Sequence, residues 1–206
     1  MLNINSERWI HISSGNGSVS KEEWQEIKNT KYINKPTGGL WLSKYNGQSH
    51  NVCEWLNYVQ DQVSANGEYS SLYRMANEYK AGLIFEFTQN PNIAIIQNEE
   101  ELKCFIDSFS LSSTSLDYEK IANIYDGLYL KLFGLPFKYW SEYQSDEFNF
   151  RTWGCNTLLI FNYDIIKSWT KIDIDASIDI DGFINYDISG HSKTYRKGIY
   201  ERKGNN

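Results

Sequence analysis

Histidine, cysteine and long apolar runs are all scarce in this chain of 206 residues. With only His11, His50 and His191 present, a histidine-centred metal cluster is not expected. Cys53, Cys104 and Cys155 are scattered, odd in number and without C-x-x-C pairing, which supports neither a disulfide framework nor a zinc site. No apolar run approaches the roughly 20 residues that span a bilayer, and the first residues lack the basic-then-apolar form of a secretory leader. Together these absences give the expectation of a reducing, cytoplasmic setting with no membrane attachment. Positive charge is short as well. At a net charge of −6 the chain is not expected to bind bulk nucleic acid by neutralising phosphates.

Several catalytic signatures are also missing. There is no G-x-G-x-x-G behind a strand, no P-loop lysine motif and no G-x-S-x-G elbow. The acidic run Asp173, Asp175, Asp179 and Asp181 lacks the sixth-position glycine and closing glutamate of an EF-hand loop. Alternation with isoleucine instead puts its acids on one face of a late hairpin, turning at Ala176-Ser177. No metal is therefore expected.

What the chain does have is aromatic side chains: 16% of residues, with 15 tyrosines and 7 tryptophans. Rings with a polar handle suit half-wet clefts and interfaces, although an aromatic-rich core accounts for such a surplus too. The length suits one sizeable core, and no repeat or Pro/Gly/Ser linker divides it. We read residues 1–186 as one domain and 187–206 as a basic tail or edge segment. From residue 190 onward the charge is +4, leaving −10 for the rest.

"RWIHISS" reads as a first strand, and Gly38-Gly39 releases a second, "LWLS". Ser49 is a candidate N-cap for a helix running to Asn66-Gly67, with Val52, Leu56, Val59 and Val63 along one face. "AGLIFEFTQ" and "NIAIIQ" read as strands parted by Asn90-Pro91-Asn92. "NEEELKCFIDSF" and "SLDYEKIANIY" read as helices, and "CNTLLIFN" as an apolar strand. Strands dominate and helices interrupt them without a βαβ rhythm, which points to an α+β fold with largely antiparallel sheets. Alternation along "LWLS" sets Leu40 and Leu42 on one face and Trp41 and Ser43 on the other. If the leucines mark the core, the indole stands at a cleft; a Leu-Trp-Leu triplet is equally what a core strand carries.

The pieces "GGLWLS", "YDGLYL" and "LLIFNYDIIK" resemble the "GxYFS", "YDGI" and "VVFDPxxIK" segments of bacterial and phage members of the ADP-ribosyltransferase superfamily. The resemblance runs from about Trp9 to Lys167. It implies a split β-sandwich of two small, mostly antiparallel sheets with flanking helices, gripping NAD between them. It implies an NAD-dependent toxin or effector that passes ADP-ribose to a macromolecular acceptor, or an NAD glycohydrolase, with an inhibitor or antitoxin protein as a possible partner. A non-catalytic nucleotide- or partner-binding module on the same scaffold is the alternative.

By position, the resemblance makes His11, Trp41 and Asn156 the catalytic set. It places His11, Ser13, Gly39, Trp41, Ser43, Tyr45 and Ser49 around NAD. Cleaving the glycosidic bond builds an oxocarbenium-like cation, so an acid is expected where Asn156 stands, on the opening of a late strand beside Gly154. An amide there leaves three outcomes open: weaker transfer, another carboxylate (Glu86, Asp126 or Glu147) reaching the site, or binding without catalysis.

Overall fold

In the computed structural model, residues 4–13, 19–31, 33–48, 51–66, 72, 75, 78–88, 90–140, 148–178 and 184–196 are described, the segments 175–178 and 184–196 by their backbone alone. The first strands follow directly from sequence periodicity. β1 (Trp9–Ser13) and β2 (Leu40–Gln48) are short β-rich runs, the second launched from Gly38 and Gly39, both at positive φ (80° and 64°). β2 turns into β3 (Asn51–Cys53), and helix α1 (Glu54–Asn66) follows at once.

Ser49 lies outside the described residues, and the helix expected from there begins instead at Glu54. The physical reason is the Asn51 side chain. Its Oδ1 accepts from Asn46 Nδ2 at 2.7 Å and from Asn57 Nδ2 at 2.8 Å, which ties the strand turn to the first turn of the helix. Val52 therefore sits on β3. It still joins Leu56, Val59 and Val63 in one buried cluster with Ile10, Ile84 and Ile172.

β4 (Ala81–Phe87) and β5 (Ile93–Ile96) bracket a turn in which Asn90 adopts φ 55°. Two helices cross from β5 to β6 (Gly127–Leu130): α2 (Glu99–Phe109), capped by Asn98, and α3 (Tyr118–Ala122), capped by Asp117. Capping side chains accept the orphan N–H groups of a first turn, here those of Glu101 and Lys120. This crossover makes β5 and β6 parallel, the only parallel pairing among the described strands. β7 (Thr157–Ile160) returns antiparallel between β6 and β2. The chain ends in a long hairpin of β8 (Ile166–Ile178) and β9 (Ile184–Arg196). The expected turn at Ala176-Ser177 is instead continuous strand, and the hairpin closes between Ile178 and Ile184. Asp179 and Asp181 lie outside the described residues.

The fold is thus mixed α+β with a mostly antiparallel sheet in the order β5-β6-β7-β2-β1-β4-β8-β9, β3 pairing off β2. Two separate small sheets were expected; the described strands form one continuous path. Its weakest link is β1–β2, which holds only two register pairs, Trp9↔Lys44 and Ile10↔Ser43. Beyond them β1 follows β4 as far as Ser13↔Ala81, and β2 follows β7 as far as Leu40↔Ile160. The two strands part at His11.

Candidate functional site

The parting of β1 and β2 leaves backbone groups that a regular ladder would have satisfied. One of them, the Trp41 carbonyl, is taken up by the His11 ring through Nδ1 at 3.0 Å. A carbonyl can only accept, so Nδ1 carries the proton and Nε2 is the acceptor. Burial lowers the His11 pKa, with the Trp41 bond opposing, and the ring stays neutral near pH 7. The imidazole wedges the two halves of the sheet apart and lines a hollow on each side.

The larger hollow is a cleft of about 410 Å³, walled by Trp41 and Ser43 of β2, Lys35 of the preceding turn and Trp55 of α1. Tyr79, Trp153 and Thr157 complete the wall. That volume falls within the roughly 300–1,000 Å³ of ordinary ligand pockets. As β alternation requires, Leu40 and Leu42 are buried in the core beside Leu158 and Ile160, while Trp41 and Ser43 face the cleft. The indole is fixed by Nε1 donating to the Gly38 carbonyl at 3.2 Å and by the Trp153 ring, edge-on at 4.9 Å. Trp153 is in turn held by Nε1 donating to Asn34 O at 2.8 Å.

Lys35 stands over the Trp41 ring, Nζ 4.5 Å from its centroid, and donates to the Thr152 carbonyl at 2.8 Å. Burial lowers its pKa. The cleft also contains Cys155, whose thiol burial pushes up to about 12, so it stays protonated and is no nucleophile at neutral pH. Ser43 is only 3% exposed. Its Oγ lacks a conventional hydrogen-bond partner, with only the weakly bonding Cys53 thiol set against it. Among the described lining residues there is no carboxylate.

Of the residues expected in one site, His11, Ser13, Trp41 and Ser43 do line one cleft. Gly39 lies with His11 on the smaller hollow of about 160 Å³. Tyr45 packs instead on the Val52–Leu56 cluster, its ring beneath the Arg8 guanidinium at 4.6 Å. Asn156 is not brought to the cleft. Its neighbours Cys155 and Thr157 line the cleft but Asn156, just ahead of β7, does not; its Oδ1 accepts from Phe133 N–H at 3.2 Å.

The alternative carboxylates are placed elsewhere. Glu86 accepts from Ser168 Oγ at 2.8 Å on β4. Asp126 clamps two loops, accepting from Asn92 N–H at 2.8 Å and Asn162 Nδ2 at 2.9 Å. Glu147 lies outside the described residues. Sequence reasoning missed Glu54, the first residue of α1, whose carboxyl sits against the amides of Asn156 and is not among the residues that line the cleft. Burial raises its pKa despite Asn156, Lys44 and Lys131, and Oε2 has no hydrogen-bond partner. Reasoning from sequence also missed Lys35, Trp55, Tyr79 and Trp153, though Lys35 falls inside the "NKPTGG" turn that launches Trp41.

No protein-family model, curated protein or solved structure matches this chain.

Proposed function

We propose that the protein binds NAD or a closely similar dinucleotide in the cleft at the parting of β1 and β2, on a scaffold like that of the ADP-ribosyltransferases. The parting would correspond to the split of that family's sandwich. One observation carries the reading: His11 in the gap between the strands and Trp41 on the neighbouring strand line the same cleft although 30 residues separate them. The bare Nε2 of a neutral imidazole suits a ribose hydroxyl donor. Trp41, Trp55 and Trp153 supply flat apolar surface for the rings of a nucleotide.

The same geometry favours binding over transfer. An oxocarbenium-like transition state needs negative charge nearby, and the described lining residues bring none. Asn156, where the acid was expected, is not among the lining residues. Transfer of ADP-ribose to a macromolecular acceptor is therefore the weaker of the two readings. Thermal denaturation with and without NAD, run beside an assay for free nicotinamide, separates them. A ligand confined to the folded state raises Tm by mass action. Stabilisation by NAD that disappears in Trp41→Ala, without nicotinamide release, is the expected result. Release that depends on His11 and Trp41 would restore the transferase reading. No stabilisation at millimolar NAD would refute both.

A further inference from the structure

Resting on the dinucleotide reading, we propose that Lys35 is the residue that recognises an anionic phosphate group of the ligand, with the Ser43 hydroxyl as a second donor on the same wall. The two side chains flank Trp41 in the cleft, so the ligand placed by them carries its phosphate beside the indole.

Lys35 is an ammonium set into a half-closed aromatic cleft whose described lining residues include no carboxylate. No carboxylate lies within ion-pair distance of it among the described residues, and none lines the cleft. Its visible partners are the Thr152 carbonyl and the face of Trp41. A carbonyl and a ring face offset only part of the desolvation of a cation, and three N–H donors are available on the ammonium. Its lowered pKa records the same deficit.

Ser43 supplies an independent observation. Its hydroxyl is almost fully removed from solvent and stands in the cleft wall with no conventional partner. Buried polar groups are hydrogen-bonded in the great majority of cases. A cation with no carboxylate beside it among the described lining residues and a hydroxyl with no conventional partner, on one wall, are both met by a single anionic oxygen cluster. Among the other hydroxyls of that wall, Thr157 is already committed to the Cys155 carbonyl at 3.0 Å and Tyr79 accepts from Trp55 Nε1 at 3.1 Å. The choice of phosphate over carboxylate follows from the rings: Trp41, Trp55, Tyr79 and Trp153 crowd the same cleft, and a nucleotide joins rings to phosphate in one molecule.

Isothermal titration of the full chain with NAD, ADP-ribose, nicotinamide riboside and inorganic pyrophosphate tests this, on wild type, Lys35→Met and Ser43→Ala. Lys35→Met is expected to weaken NAD and ADP-ribose by about 10- to 100-fold, the scale of a lost charge-assisted hydrogen bond. Ser43→Ala should weaken them by less, and nicotinamide riboside should bind both variants as it binds wild type. The ligand-free Tm of Lys35→Met should be equal to or above that of wild type, because an uncompensated cation has been replaced by a neutral side chain of similar length. A folded Lys35→Met that keeps full NAD affinity while Trp41→Ala loses it would overturn the role of Lys35 and leave the dinucleotide reading intact. If wild type ignores NAD but binds pyrophosphate, and Lys35→Met does not, the dinucleotide reading falls and Lys35 stands as a site for free phosphate. Binding of neither would overturn both.

Discussion

Gly154 offers a sharp test of how the cleft is built. It has φ 76° and ψ −39°, and across it the Cys155 N–H donates to the Trp153 carbonyl at 2.9 Å. This is a γ-turn of the rare, strained, positive-φ kind, and it separates two cleft residues, Trp153 and Cys155, from each other. An L side chain there is opposed twice. The backbone conformation costs a non-glycine residue about 2–3 kcal/mol. A Cβ would also lie 2.7 Å from Tyr58 Cε1. Overpacking of this kind adds about 1–2 kcal/mol, part of it relieved by movement of the ring.

Gly154→Ala is therefore expected to lose about 3–5 kcal/mol in urea unfolding. The double variant Gly154→Ala/Tyr58→Ala separates the two causes: relative to Tyr58→Ala alone, only the backbone cost, about 2–3 kcal/mol, should remain. Both chains should also lose NAD-dependent stabilisation, because the turn that aims Trp153 and Cys155 has been re-formed. A loss under about 1 kcal/mol for Gly154→Ala would refute the strain argument. The same reasoning explains why an acid is absent at position 154: aspartate or glutamate there meets the same obstacles.

Other consequences are more direct. Leu56→Ala, at a fully buried position, should cost about 2–5 kcal/mol in chemical denaturation; a smaller loss would mean that the cluster under β1 collapses around the gap. Asn156→Glu should destabilise the fold by setting a second carboxylate against Glu54, and should not raise nicotinamide release, since position 156 does not line the cleft. Gain of release in that variant would show that position 156 does reach NAD. His11 is held neutral by burial, with a folded pKa below the ordinary 6.5. Protonation therefore favours the unfolded chain, and its stability contribution is complete above about 6.5 and lost as pH falls from there to the lowered folded value. His11→Gln should flatten the wild-type stability curve over that window, and parallel curves would refute the assignment.

How much of this was legible in the sequence depends on the range of the interaction. Period-two alternation correctly separated Leu40 and Leu42 from Trp41 and Ser43, because a pleated strand leaves no other arrangement. The helical spacing of Leu56, Val59 and Val63 found the buried face of α1. Its start was misread because the stop is set by a side chain, Asn51, bonding to both sides of the turn. Helix propensity around Ser49 cannot express that. The hairpin turn was misplaced for a related reason: Ala176-Ser177 breaks the Ile-Asp pattern without breaking strand geometry. Nothing periodic brings Lys35, Trp55, Tyr79 and Trp153 to one cleft, since their meeting depends on which strands neighbour each other. Asn156 does stand at the entry of β7, as the resemblance implied, but it is not among the residues that line the cleft, and no local pattern sets which neighbour its side chain meets.

The absence of a carboxylate among the described lining residues matters to the chemistry. Cleaving a nicotinamide–ribose bond leaves positive charge on the sugar, and a protein lowers that barrier by opposing it with negative charge fixed in advance. The only formally charged side chain among the described lining residues is a cation, Lys35. If the proposed dinucleotide is bound there, such a cleft would lower the free energy of the intact, anionic molecule more than that of the separating cation, which is binding without acceleration. Glu54 does not repair this. Its carboxyl is buried against Asn156 and does not line the cleft, and turning it inward would give up those amide contacts at the first residue of α1. On the proposed dinucleotide reading the arrangement is that of a holder of nucleotides, in which Trp41 and Lys35 would fix the ligand beside His11, where β1 and β2 part.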